Sequence, residues 1–158
     1  MLIALGARAL VIRNGQTSDV PLESLYSGEG RAPFGAGRFV LWKITLPPAA
    51  HTLFAGYRKY RLRDGLDFPI AGVALAVERA GADVTSLRIC LTGVWSSPVL
   101  VKQTEETAKG KPLFPGLVAE LAELAYWSAH PVENVEGTAA RRRSMVRLMT
   151  REALLSAP

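Results

Sequence analysis

The sequence predicts an α+β sandwich, an antiparallel sheet of three to four strands packed under about three helices. Three observations carry this expectation. Apolar residues alternate with a period of two across 52–62, 70–78 and 84–94, as in half-buried strands joined in a meander. Beyond Pro115 the period becomes helical, with Leu117, Leu121, Leu124 and Ser128 on one stripe and Val118 and Ala125 beside it. Strand-like runs precede helical ones along the chain, which suits a sheet with one face under a helical layer.

Leu2 to Arg13 is apolar, and Ala9, Leu10, Val11 and Ile12 favour a strand. Asn14-Gly15 is a strong hairpin turn, so Gln16 to Val20 should return antiparallel. Leu22 to Tyr26 suits one helical turn. Ser27 to Gly37 carries four glycines and a proline and reads as a loop; its GEGRAPFGAG is no phosphate-loop pattern. Phe39 to Leu46 is expected as a strand with Val40, Trp42 and Ile44 on one side, ended by Pro47-Pro48. Thr52 to Leu62 is expected as the central strand, followed by a turn at Asp64-Gly65.

In the next strand, Ile70 to Glu78, Val73, Leu75 and Val77 share one face. Gly72, Ala74 and Ala76 line the other, so something packs closely there. Ala80-Gly81-Ala82-Asp83 is a turn, and Val84 to Val94 a third strand with Leu87, Ile89 and Leu91 inward, closed by Ser96-Ser97-Pro98. Glu105-Glu106 with Lys109 fits a short helix. Pro115 suits a first helical turn, and His130-Pro131 ends that helix. Thr138 is an N-cap for a last helix to about Leu155, with Met145, Leu148, Met149 and Glu152 marking one side.

A length of 158 residues allows one ordinary domain with an appended piece, and 49% hydrophobic content is ample for a core. The net charge of +5 is scattered rather than blocked. A single cysteine, Cys90, excludes an internal disulfide, a cysteine zinc site and a cysteine-ligated iron–sulfur cluster within the sequence. It lies in an apolar run and reads as a small buried hydrophobe. Met1-Leu-Ile-Ala-Leu-Gly has no basic n-region and is too short for a signal peptide or membrane span, so a soluble cytoplasmic protein with no membrane association is expected.

Catalytic constellations are scarce. His51 and His130 have no metal-ligand spacing, and no G-x-S-x-G occurs. Arg141, Arg142 and Arg143 invite a nucleic-acid reading, but no aromatic is interleaved and the charges surround the helix; no nucleic-acid partner is expected. The informative stretch is Tyr57 to Gly72, YRKYRLRDGLDFPIAG. Tyr57, Lys59 and Arg61 project from one face of an extended segment, and Arg58 and Tyr60 from the other. That is more cationic and aromatic side chains than an ordinary half-buried strand needs.

The residues Tyr57, Lys59, Arg63, Asp67, Phe68, Pro69, Gly72, Val73 and Ala74, continued by Gly93-Val94 and by Gly137 to Arg143, resemble the C-terminal domain of the flavin subunit of molybdenum hydroxylases. That family includes the carbon monoxide dehydrogenase medium subunit, the β-subunit of 4-hydroxybenzoyl-CoA reductase and the xanthine dehydrogenase flavin domain. The resemblance covers Val40 to Leu155 and implies the same sheet-and-helix sandwich. It implies residues 49–158 as the C-terminal domain and 1–48 as the last strands of the FAD-binding domain. It also implies FAD as cofactor in the complete subunit, with a molybdenum-cofactor subunit and an iron–sulfur subunit as partners.

By the same resemblance Lys59 lies beside the flavin, where a cation stabilises the charge of the reduced ring. Tyr57 covers a flavin face, against the plainer reading of cross-strand packing. Arg63 and Asp67 form a pair that shapes the loop near the flavin, or a simple surface salt bridge. The sequence departs from the family in one respect: the glycine-rich loops that hold the FAD pyrophosphate have no counterpart in it. A C-terminal fragment, or a product that has lost its front half, is therefore expected, neither active nor retaining FAD alone. The rival expectation is a cofactor-free assembly module derived from the same domain. A neighbouring reading frame encoding the glycine-rich loops would favour the first.

Overall fold

A computed structural model describes residues 1–28, 39–63, 67–133 and 137–158. The Asp64-Gly65 turn and most of the expected Ser27–Gly37 loop lie outside the described residues. Among those described, the chain forms β1 (Arg8–Arg13), β2 (Gln16–Pro21), a single 3-10 turn (Leu22–Leu25), β3 (Val40–Thr45), β4 (Phe54–Tyr60), β5 (Ala71–Ala80), β6 (Asp83–Thr92) and β7 (Val99–Leu100). Three helices follow, α1 (Gln103–Ala108), α2 (Pro115–Ser128) and α3 (Ala139–Leu155). Two antiparallel sheets result, ordered β2-β1-β3 and β4-β5-β6-β7. The α+β class and the sheet-under-helices layering agree with the sequence.

Local chemistry accounts for the turns. Asn14 and Gly15 both take positive φ, 50° and 75°, as a two-residue hairpin turn with the strands' own twist requires. Pro115 opens α2, where its missing N–H is no loss. The Thr138 hydroxyl accepts from the Arg141 amide at 3.2 Å and caps α3.

One face of the larger sheet carries Ala71, Val73, Leu75 and Val77 from β5 and Leu87, Ile89 and Leu91 from β6, buried against Leu117 and Leu121 of α2 and Val146 and Leu154 of α3. Ala74, Ala76 and Cys90 on the opposite face pack instead against Ile3, Ala4, Ala7, Ala9, Val11 and Leu22. The N-terminal segment therefore lies on the side of small residues.

Several expectations are corrected. The residues expected to favour a strand, Ala9 to Ile12, do lie in β1, while Met1 to Gly6 before it coils into turns, with the Leu5 and Ala7 amides bonding the Met1 and Leu2 carbonyls. The segment expected at the centre of the sheet is its edge, β4; Arg58 and Lys59 suit a strand with one solvated side, whereas β5 is buried on both faces. The short strand β7 was not foreseen. In β3 a bulge pairs Leu41 with Val11 and Lys43 with Leu10, leaving Trp42 unpaired. Ile44 consequently shares the face of Ala9, and Val40 that of Ile12, instead of lying together.

The buried stripe of α3 is Arg142, Val146, Met149, Thr150, Ala153 and Leu154. Leu148 and Glu152 are exposed, since they lie off that arc of the helix. Among the described residues no helix is long and apolar enough to cross a membrane.

Two leucines of α3 test this stripe. Leu154→Ala, at a side chain 1% exposed, should cost about 2–5 kcal/mol in urea unfolding. Leu148→Ala, at 47%, should change stability by about 0.5 kcal/mol or less. Equal costs would contradict the assignment.

Candidate functional site

Strand alternation decides which sequence-predicted residues meet. Tyr57 pairs with Ala74 of β5 and Lys59 with Gly72; across β5, Ala74 pairs with Cys90 and Gly72 with Thr92. Paired residues share a face. Two rows therefore run across the sheet on the side away from the helices, Tyr57–Ala74–Cys90 and Lys59–Gly72–Thr92. Tyr57 is 41% exposed, and Lys59 is exposed beside it.

Gly72 is the low point of this surface. A methyl group there would stand 2.5 Å from Thr92 Oγ1 and 2.8 Å from the Tyr57 hydroxyl, so only glycine leaves both side chains where they are. Thr92 Oγ1 is buried and has no hydrogen-bond partner among the described residues. A buried hydroxyl left unpaired costs about 1–3 kcal/mol. A cleft of about 260 Å³ reaches the same threonine from the N-terminal side, between Leu2, Tyr26, Cys90 and Pro98. Burial pushes the Cys90 thiol above its ordinary range, so it serves there as an apolar wall.

The opposite face of β4 belongs to the fold. Tyr60 packs on the helical core, with the Arg141 guanidinium 5.9 Å from its ring centre. Arg58 Nη2 donates to the Ser156 hydroxyl at 2.9 Å. Adjacent residues thus have separate fates, Arg58 toward the helices and Lys59 toward the open face.

Arg63 and Asp67 do meet. Both guanidinium contacts to the Asp67 carboxylate are 3.4 Å, and Asp67 Oδ1 also accepts from the Phe68 amide at 3.0 Å. The hydrogen bond from Arg63 holds the Asp67 carboxyl below its ordinary range, against a smaller opposing effect of burial. Arg63 is largely exposed, so the pair contributes little to stability, and Phe68 beside it stands 90% exposed.

Three residues of the arginine-rich helix serve the fold itself. Arg142 Nη1 reaches the Gly93 carbonyl at 3.5 Å, Arg143 Nε the Ala129 carbonyl at 2.9 Å, and Arg147 the Glu123 carboxylate at 3.0 Å. Among the described residues no cluster of His, Cys, Asp and Glu is placed to hold a metal.

Sequence reasoning noted the close packing at Gly72 but missed Thr92. Its one signal is register: only the pairing of β5 with β6 brings Thr92 opposite Gly72. A cleft of about 510 Å³ among the described residues, between Leu5, Leu46, Pro47, Ala76, Ser86 and Arg88, is lined by none of the four predicted site residues Tyr57, Lys59, Arg63 and Asp67.

The sequence matches the CO dehydrogenase flavoprotein C-terminal domain family over residues 55–157. It is 29% identical over 97 residues to the glyceraldehyde dehydrogenase medium chain of Sulfolobus acidocaldarius, covering 61% of this chain and 34% of that one. It is 27% identical over 118 residues to the carbon monoxide dehydrogenase medium chain of Hydrogenophaga pseudoflava, covering 75% and 41%. The solved carbon monoxide dehydrogenase of Hydrogenophaga pseudoflava superposes with a TM-score of 0.88 at 25% identity, over 98% of this chain and 53% of that one. The chain thus spans about a third to a half of the length of these relatives. On the match across both the larger sheet and all three helices, the chain belongs to the CO dehydrogenase flavoprotein C-terminal domain family.

Proposed function

We propose that this chain is the flavin-covering part of a molybdenum-hydroxylase medium subunit. Residues 49–158 form its C-terminal domain, and residues 1–48 are the last strands of its FAD-binding domain. In the assembled enzyme it helps pass electrons between iron–sulfur clusters on one partner subunit and an external acceptor, while substrate chemistry proceeds on a molybdenum subunit. The similarity to a carbon monoxide dehydrogenase medium chain supports a subunit of that general type.

The observation that carries this reading is the open face of β4 and β5. An exposed aromatic ring, an exposed lysine, a glycine hollow and a hydroxyl without a partner among the described residues stand together there, within the family's matched span. These groups suit the ring end of a flavin: a flat apolar surface beside a cation and a donor. Tyr57 would lie against the ring and exclude water from it. Lys59 would hold positive charge where negative charge develops, and the Arg63–Asp67 pair would set the loop beside it. When bound, the flavin supplies reversible two-electron chemistry. The pyrophosphate end needs backbone donors from a glycine-rich loop, which the sequence does not carry.

Two outcomes test this. Incubated with FAD and desalted, the chain alone should emerge without a visible flavin spectrum; a stoichiometric yellow product would reveal a binding site outside this account. In a complete FAD-loaded subunit, Lys59→Ala should lower the flavin midpoint potential, because the reduced form loses more stabilisation than the oxidised form. A charged contact is worth about 1–3 kcal/mol, and about 1.4 kcal/mol corresponds to roughly 30 mV for a two-electron couple. A fall of tens of millivolts is expected, with Arg58→Ala on the opposite face nearly silent. An unchanged potential in Lys59→Ala would remove Lys59 from the site.

A further inference from the structure

The turn that ends β6 is held from three directions. Gly93 takes a φ of 73°, and a methyl group there would stand 2.9 Å from the Pro69 carbonyl oxygen and 3.1 Å from that of Ile70. Only glycine lets this turn lie against the β4–β5 return. The Val94 carbonyl accepts from the His130 amide at 3.0 Å. The Gly93 carbonyl accepts from Arg142 Nη1 at 3.5 Å.

Arg142 is the unexpected member. It is 7% exposed, on a stripe otherwise made of Val146, Met149, Thr150, Ala153 and Leu154. Taking a guanidinium out of water costs several kcal/mol before its contacts are counted, roughly, and an apolar residue of similar volume is often as stabilising or more. Beyond its place in the helix layer, Arg142 reaches the sheet at the Gly93 carbonyl.

The residue before Gly93 is Thr92, whose hydroxyl shares the hollow over Gly72 with the Tyr57 phenol. The Gly93 carbonyl lies in the peptide that leaves Gly93, so holding it restrains the turn directly after Thr92 and, through that turn, the end of β6 that carries the Thr92 side chain over Gly72. We propose that Arg142 is a positioning residue for Tyr57, acting from the helical layer through the Gly93 carbonyl and Thr92 to hold the phenol over Gly72. Its meaning for electron transfer rests on the flavin-facing reading of Tyr57 above; the positioning itself does not.

The test uses the chain as it is, labelled with ¹⁵N and ¹³C. The Gly72 amide and α-proton resonances carry the ring current of Tyr57, and Tyr57→Leu defines their position without the ring. Arg142→Met, which keeps the volume and apolar stem, should move them at least half of the way to the Tyr57→Leu position. Arg142→Lys should fall between Arg142→Met and the parent, and Arg147→Met, on the same helix but bonded to Glu123, should leave them in place. A folded Arg142→Met with parental Gly72 resonances overturns the proposal. Should Arg142→Met fail to fold, Arg142→Lys decides by the same criterion, parental resonances again overturning it. In the FAD-loaded complete subunit, Tyr57→Leu with unchanged flavin fluorescence would sink the flavin reading alone, since the resonance criterion does not depend on it.

Discussion

The architecture depends on a single strand that is buried on both faces. From Ala71 to Val77 no residue of β5 is meaningfully exposed. Its two faces differ in size rather than polarity. Val73, Leu75 and Val77 fill the space under the helices, while Gly72, Ala74 and Ala76 let other chain segments approach closely. The large side therefore anchors α2 and α3, and the small side becomes a platform. The N-terminal segment covers one end of that platform. Tyr57 and Lys59, from the neighbouring edge strand, stand over the end nearest Gly72.

This division explains why two adjacent cationic residues on β4 differ so completely. Arg58 is drawn to the helical layer and spends its guanidinium on Ser156. Lys59 faces the platform with its ammonium exposed. A one-residue slip of β4 would exchange them, and the pairing of Tyr57 with Ala74 prevents it by keeping Phe54 and Tyr60 on the core side.

Much of this was legible from residue patterns. The alternation in 70–78 gave both the strand and its small-residue face, Asn14-Gly15 gave the hairpin, and Thr138 gave the cap. The alternation of Tyr57 and Lys59 put both on one face of β4, as their pairing with Ala74 and Gly72 requires. Three features were not legible, each for a physical reason. Strand order follows from which elements find covering layers, so period-two runs alone did not reveal β4 as an edge. The bulge at Trp42 is one unpaired residue that inverts the faces after it, and nothing in VLWKIT announces it. Arg142 breaks the apolar stripe of α3 because its partner is a carbonyl distant in sequence, which periodicity cannot see. Thr92 escaped notice for the same reason, since its importance lies in facing Gly72.

The central claim is that the Tyr57–Lys59 face of the sheet is where this domain meets flavin. A crystal structure of the complete FAD-loaded subunit tests it most directly. The account predicts the flavin ring on the platform side of β4 and β5, with its centroid about 4.5–7 Å from that of the Tyr57 ring and the Lys59 ammonium facing its edge. A flavin ring bound against another surface, with Tyr57 and Lys59 in solvent, would contradict it.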